Sequence, residues 1–176
     1  MTNTSTSGGS DADHIADTAT FEELVGSFDG PMMIVTASNG RERSGCLVGF
    51  TTQASMRPPR FLVMMSKANH TYGVARDAVA LVVHVLHQGD EELATRFGEL
   101  SGDDVDKFEG LEVLDGPGGA PVLVGVDWFG GRVLRTLDCG DHVGFLLAPH
   151  DGSARRVHEA QYGLQQAMDM EPGHPA

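Results

Sequence analysis

The stretch MMIVTASNGRERSGCLVGF, residues 32–50, decides the fold class. An apolar run from Met32 to Ser38 meets Asn39-Gly40, a pair that reverses a chain tightly because both residues tolerate left-handed backbone. A second run, about Glu42 to Phe50, follows at once, so the two read as an antiparallel hairpin. Downstream, Thr51 to Pro59 reads as a polar connection closed by Pro58-Pro59, and Arg60 to Ser66 as the next strand. Thr71 to Ala78 suits a short helix with Tyr72, Val74, Ala75 and Ala78 along one side. Val79 to Leu86 (VALVVHVL) is β-branched and almost wholly apolar, which predicts a central strand. Asp90 to Phe97 places acids at its start and Arg96 near its end, matching a helix dipole.

Residues 98–121 read as an irregular excursion rich in Gly and Asp. Val122 to Leu137 and His142 to Ala148 form a long hairpin turned near Cys139-Gly140-Asp141, and Ala154 to His158 a last short strand. Upstream, Thr20-Phe21-Glu22-Glu23 is a capping-box pattern opening a helix to about Phe28, which Gly30-Pro31 stops. Residues 1–19 and 166–176 read as tails around one domain of residues 20–165, the first being Thr, Ser, Gly, Asp and Ala without periodicity. About six strands joined by tight turns, with short helices between, predict a mainly β antiparallel barrel over a parallel α/β sheet.

The 176 residues suit one domain with a core of its own, and 40% of them are apolar. Twenty-five acids against 12 basic side chains give a formal charge of −13, and Lys67 and Lys107 are the lysines. Nucleic acid is excluded as a partner, because backbone phosphates require clustered cations. No apolar run reaches the roughly 20 residues of a membrane span, and no basic-then-apolar leader opens the chain, so a cytoplasmic protein is expected. Cys46 and Cys139 both fall in strand-like segments and read as small buried hydrophobes in a reducing compartment.

Several chemistries lack their motifs. No GxGxxG links a strand to a helix, no GxxxxGK[ST] occurs, His158-Glu159 lacks the second His of HExxH, and Gly-x-Ser-x-Gly is absent. His84 and His87 stand three apart at a strand end, where alternation sends them to opposite faces and spoils a metal pair. No metal site is expected.

Four segments together resemble the flavin reductase-like family. They are Ser44-Gly45-Cys46-Leu47-Val48-Gly49-Phe50-Thr51-Thr52 running on to Pro58-Pro59; Ser66-Lys67-Ala68-Asn69-His70-Thr71; His84-Val85-Leu86 with Glu92-Leu93-Ala94-Thr95-Arg96-Phe97; and Gly119-Ala120-Pro121, Trp128 and Gly140-Asp141-His142. The resemblance runs from about Phe21 to Tyr162. It implies a six-stranded Greek-key split β-barrel, a homodimer with flavin sites between subunits, and NAD(P)H-dependent reduction of FMN, with a flavin monooxygenase as partner for the reduced product. By the same resemblance Leu47, Val48, Gly49, Phe50, Thr51 and Thr52 line the flavin ring and ribityl chain, and Lys67, Asn69 and Thr71 take its phosphate. The residues suit these roles. Lys67, Asn69 and Thr71 offer an ammonium, an amide and a hydroxyl within five positions, and Gly49 lets backbone approach a ring closely.

His142 is implied as the residue beside the nicotinamide, orienting it, because hydride transfer depends on alignment more than on a strong acid or base. His158 and Tyr162 match a His-and-aromatic region of the family. The sequence departs from the family pattern at Leu47, usually Thr, at Gly49-Phe50, usually two small polar residues, and at His84, usually Asn. These departures leave FAD, a deazaflavin or loss of the cofactor open beside FMN. The alternative class is a flavin-binding electron carrier or sensor without turnover, and a reductase of a small substrate is the alternative enzyme.

Overall fold

The computed structural model describes residues 18–173, so the expected N-terminal tail lies outside them except for Thr18 and Ala19. Those two residues open helix α1, Thr18–Gly26, none of which is buried. The strands in chain order are β1 (Met33–Ser38), β2 (Arg43–Val48), β3 (Thr51–Met56), β4 (Pro59–Ser66), β5 (Ala80–Val85), β6 (Val113–Asp115), β7 (Pro121–Leu123), β8 (Asp127–Asp138) and β9 (His142–Ser153). Helices α2 (His70–Ala75) and α3 (Glu91–Glu99) interrupt them, and α4 (Leu164–Ala167) follows β9. All the strand pairs are antiparallel, as expected.

The main sheet has seven strands in the order β2-β1-β5-β8-β9-β4-β3, and β6-β7 is a separate pair. The expected six strands are corrected to this count for two reasons. Thr51 to Met56, taken as a connection, is an edge strand paired with β4 alone, and an edge strand needs no apolar face. Within the supposedly irregular excursion, Val113 pairs with Leu123 and Asp115 with Pro121 around a 3-10 turn at Pro117–Gly119. The long strand expected from Val122 is broken there, with Gly125 at φ +86° between β7 and β8. No ladder forms at Ala154 to His158. The backbone N–H groups of Arg155 and Arg156 donate instead to the Asp127 carboxylate at 2.7 and 2.8 Å.

The first hairpin is where the sequence puts it, with the reversal spread over residues 39–42. Ser38 pairs with Arg43, and the Asn39 side-chain oxygen accepts from the backbone N–H of Arg41 and Glu42 at 3.0 and 2.9 Å. Gly40 supplies the left-handed step at φ +81°.

Although β2 and β3 form opposite rims of the sheet, they are neighbours in sequence, joined through Gly49 and Phe50. The sheet therefore curls until its rims meet at that link, where Met64 N–H also bonds Phe50 C=O at 2.9 Å. Inside the curl lies a core of Val35, Cys46, Val63, Leu81, Val83, Phe145 and Leu147, drawn from both halves of the sheet. The outer face of β1 and β5 carries a second core, in which Ile34 and Leu86 meet Phe97 of α3, Phe108, Leu123 and Tyr162. Burial on both faces explains why β1 and β5 read as almost unbroken apolar runs.

His84 joins the two layers. Its Nδ1 donates to Ile34 C=O at 3.1 Å and its Nε2 accepts from Leu123 N–H at 3.0 Å, so one neutral tautomer satisfies both strands. Burial pushes its pKa down to about 4, with the bond to Ile34 acting against that shift. Cys46 is buried as expected, and burial pushes its thiol up to about 11, whereas Cys139, expected to be buried too, is exposed in the β8–β9 turn. Among the described residues no helix is long and apolar enough to cross a membrane, and no cluster of His, Cys, Asp and Glu could hold a metal ion.

Candidate flavin site

A cleft of about 200 Å³ opens at the link between the two sheet rims. Its floor is Gly49 and Phe50, its apolar walls include Met32, Met64 and Leu164, and its polar edge is Ser66, Asn69 and His142. A Cβ added at Gly49 would stand 3.1 Å from Met32 Sδ and 3.6 Å from Leu164 Cδ1, so a larger residue there would press on the flexible Met32 side chain. Val48 turns its side chain into the inner core, and Leu47 packs toward Gly98 and the outer core. What those two residues present to the cleft is chiefly backbone.

His142 opens β9 opposite Ser66 of β4, so the sheet ladder fixes where its side chain leaves the chain. Its Nδ1 is bonded to the Asp141 carboxylate at 2.9 Å, and this bond holds Asp141 below the usual carboxylate range. The imidazole and the Phe50 ring are 5.3 Å apart, tilted by 48°, at the mouth of the cleft. The β8–β9 turn before His142 carries Gly140 at φ +99°.

Of the residues expected at a flavin, the cleft gathers Leu47, Val48, Gly49, Phe50, Asn69 and His142. Thr51 and Thr52 run out along the rim strand, the first with its hydroxyl 3.6 Å from Met33 Sδ, the second exposed. Thr71 is buried with its hydroxyl 2.9 Å from that of Ser44, committed to packing α2 on β2. Asn69 caps α2, its side-chain oxygen accepting from Thr71 N–H at 2.8 Å. Lys67 Nζ is bonded to both carboxylate oxygens of Asp138 at 2.9 Å. Tyr162 is buried, its hydroxyl donating to Gln166 C=O.

The sequence reading missed Met32, Met64, Leu164 and Pro172. Alternation along RFLVMMS could have turned Met64 away from the core that takes Met65, but nothing local marks Leu164 or Pro172. They arrive because the chain beyond α4 returns, with Met170 in the outer core and Gly173 N–H bonded to Gly98 C=O at 3.1 Å. A larger recess of about 430 Å³ lies elsewhere, where four carboxylates, Glu42, Asp103, Asp104 and Asp106, face the two cations Arg43 and Lys107, a balance less favourable to a nucleotide phosphate.

The sequence profile of the flavin reductase like domain matches residues 25–165. The chain belongs to this family. The reductase subunit HsaB of a flavin-dependent monooxygenase from Rhodococcus jostii is 28% identical to this flavin reductase-like chain over 151 residues, covering 84% of it and 68% of HsaB. Diflavin flavoprotein A 1 of Synechocystis is 24% identical over 123 residues, 69% of this chain. The chain spans about 22% of the length of that diflavin flavoprotein. Among solved structures, the Streptomyces globisporus NADH:FAD oxidoreductase SgcE6, in complex with NAD and FAD fragments, superposes with a TM-score of 0.70 at 25% identity. The superposition covers 84% of this chain and 86% of SgcE6.

Proposed function

We propose that this chain is an NAD(P)H-dependent flavin reductase that reduces FMN, acting as the reductase component of a two-component monooxygenase in the cytoplasm. The observation that carries the reading is the cleft itself, an apolar slot floored by Gly49 with one polar edge, which suits a flat heteroaromatic ring system with hydrogen-bonding edges. Flavin, when bound, supplies the ring nitrogen that accepts a hydride. The protein's part is placement. Backbone at Leu47 to Phe50 lies against the ring, Ser66 and Asn69 stand at its polar edge, and Lys67 is the cation nearest in sequence to that edge. Asp141 fixes the His142 ring so that Nε2 remains for the incoming nicotinamide, and Phe50 gives that ring a face to pack on. The functional unit is residues 20–165, shaped as a Greek-key split barrel. The test is steady-state oxidation of NADH and of NADPH with excess FMN. Turnover with either nucleotide is expected; flavin held tightly without turnover would make the chain a carrier instead.

The same site argues for two copies. Small-molecule pockets run from about 300 Å³ upward, and this cleft holds about 200 Å³. Phe50 and Leu137 are each more than half exposed, apolar surface that a second subunit would cover. Light scattering is expected to report twice the mass of one chain. A monomer at micromolar concentration would remove the shared site.

A further inference from the structure

Among its lining residues the cleft has no charged side chain besides the titratable His142. Lys67, the cation of the phosphate-loop pattern, stands outside that lining with its ammonium chelated by Asp138 at 2.9 Å to each oxygen. The chelate is pre-set by the β8–β9 turn, in which Gly140 N–H donates to Asp138 Oδ1 at 3.0 Å. Lys67 N–H also donates to Asp141 C=O at 2.8 Å, so the main chain holds loop and hairpin together. Asp138, through its hydrogen bond first, and Asp141 both raise the Lys67 pKa. The Asp138 carboxylate neutralises this ammonium in a chain of formal charge −13. A phosphate dianion arriving there meets no net attraction and must compete with a carboxylate already in place.

We propose that Asp138 is a specificity residue that masks Lys67, so that the cleft takes flavins by their ring system and does not select for the 5′-phosphate. Riboflavin, FMN and FAD are then one substrate class for this protein, an inference that rests on the flavin reading given above. Asp138→Asn keeps an acceptor for Gly140 N–H, removes the competing charge, and unmasks Lys67.

The test is fluorescence titration of the full chain with riboflavin and with FMN at matched ionic strength. The wild type is expected to bind the two within about threefold of each other, the range left when no net charge pair forms. Asp138→Asn is expected to favour FMN over riboflavin by at least about tenfold, as for a hydrogen bond to a charged group. That preference should shrink with added salt. Adding Lys67→Ala to Asp138→Asn should abolish it, which assigns the effect to the unmasked ammonium. A wild type that prefers FMN by tenfold or more, or an Asp138→Asn variant with an unchanged ratio, would overturn the proposal while leaving the flavin reading intact. If neither flavin binds, the flavin reading fails and the proposal with it.

Discussion

Replacing His84 with alanine is expected to cost about 3–5 kcal/mol of folding stability, the sum of a cavity and two stranded backbone groups. Ile34 C=O would lose its donor and Leu123 N–H its acceptor, both where water does not reach. The substitution should also remove an acid sensitivity. In the unfolded chain the imidazole takes a proton below its ordinary value of 6.5, whereas in the folded protein it stays neutral down to about 4. Between those values the unfolded state binds more protons, so stability is full above pH 6.5 and falls as the pH drops toward 4. The loss attributable to His84 is about 3 kcal/mol. His70 acts with the opposite sign. Burial works against its charge, but bonds of 2.6 Å to Asp103 and Glu42 raise its pKa, so its contribution is present in acid and fades as the pH rises through the folded value. Urea unfolding at pH 7 and pH 4.5, wild type against His84→Ala, isolates the first effect. A variant with an undiminished acid loss would refute the assignment.

The second large effect is on rate. His142→Ala should slow the reduction of bound flavin by NAD(P)H by about 5- to 150-fold in stopped flow, equivalent to about 1–3 kcal/mol of lost positioning. Flavin affinity should change much less, because the imidazole stands at the mouth of the cleft and the floor is Gly49 and Phe50. Asp141→Asn should slow the reaction in the same direction by a smaller factor, since the ring keeps its place while the carboxylate that orients it is gone. Reduction at the wild-type rate in His142→Ala, together with a lower melting temperature, would make His142 a hairpin residue and nothing more.

Where neighbours in sequence settle the structure, the sequence could be read. Asn39-Gly40 turned the first hairpin because an Asn side chain can by itself accept from the amides two and three positions on. The run at Val79 to Leu86 became a central strand because both its faces are covered. Edge and long-range relations left no local trace. Thr51 to Met56 has no apolar face because its strand borrows hydrogen bonds from β4 and shields nothing. Ala154 to His158 has the composition of a strand, yet its Arg155 and Arg156 amides go to Asp127, far back along the chain. In the candidate site the residue types were legible and their engagements were not. Lys67 looks free until Asp138, 71 positions away, is brought to it, and Thr71 looks available until Ser44 closes over its hydroxyl.

The two-residue link of Gly49 and Phe50 carries the chain from one rim of the sheet to the other and also floors the cleft. A ring lying on it would touch both rims at once, as a rivet holds two plates. Energy gained by occupancy then counts against unzipping the seam, and amide exchange should slow in β2 and β3 together, although the ladder places them at its opposite ends. In a molecule jointed this way, tighter binding of a ring is expected to go with slower opening of the seam.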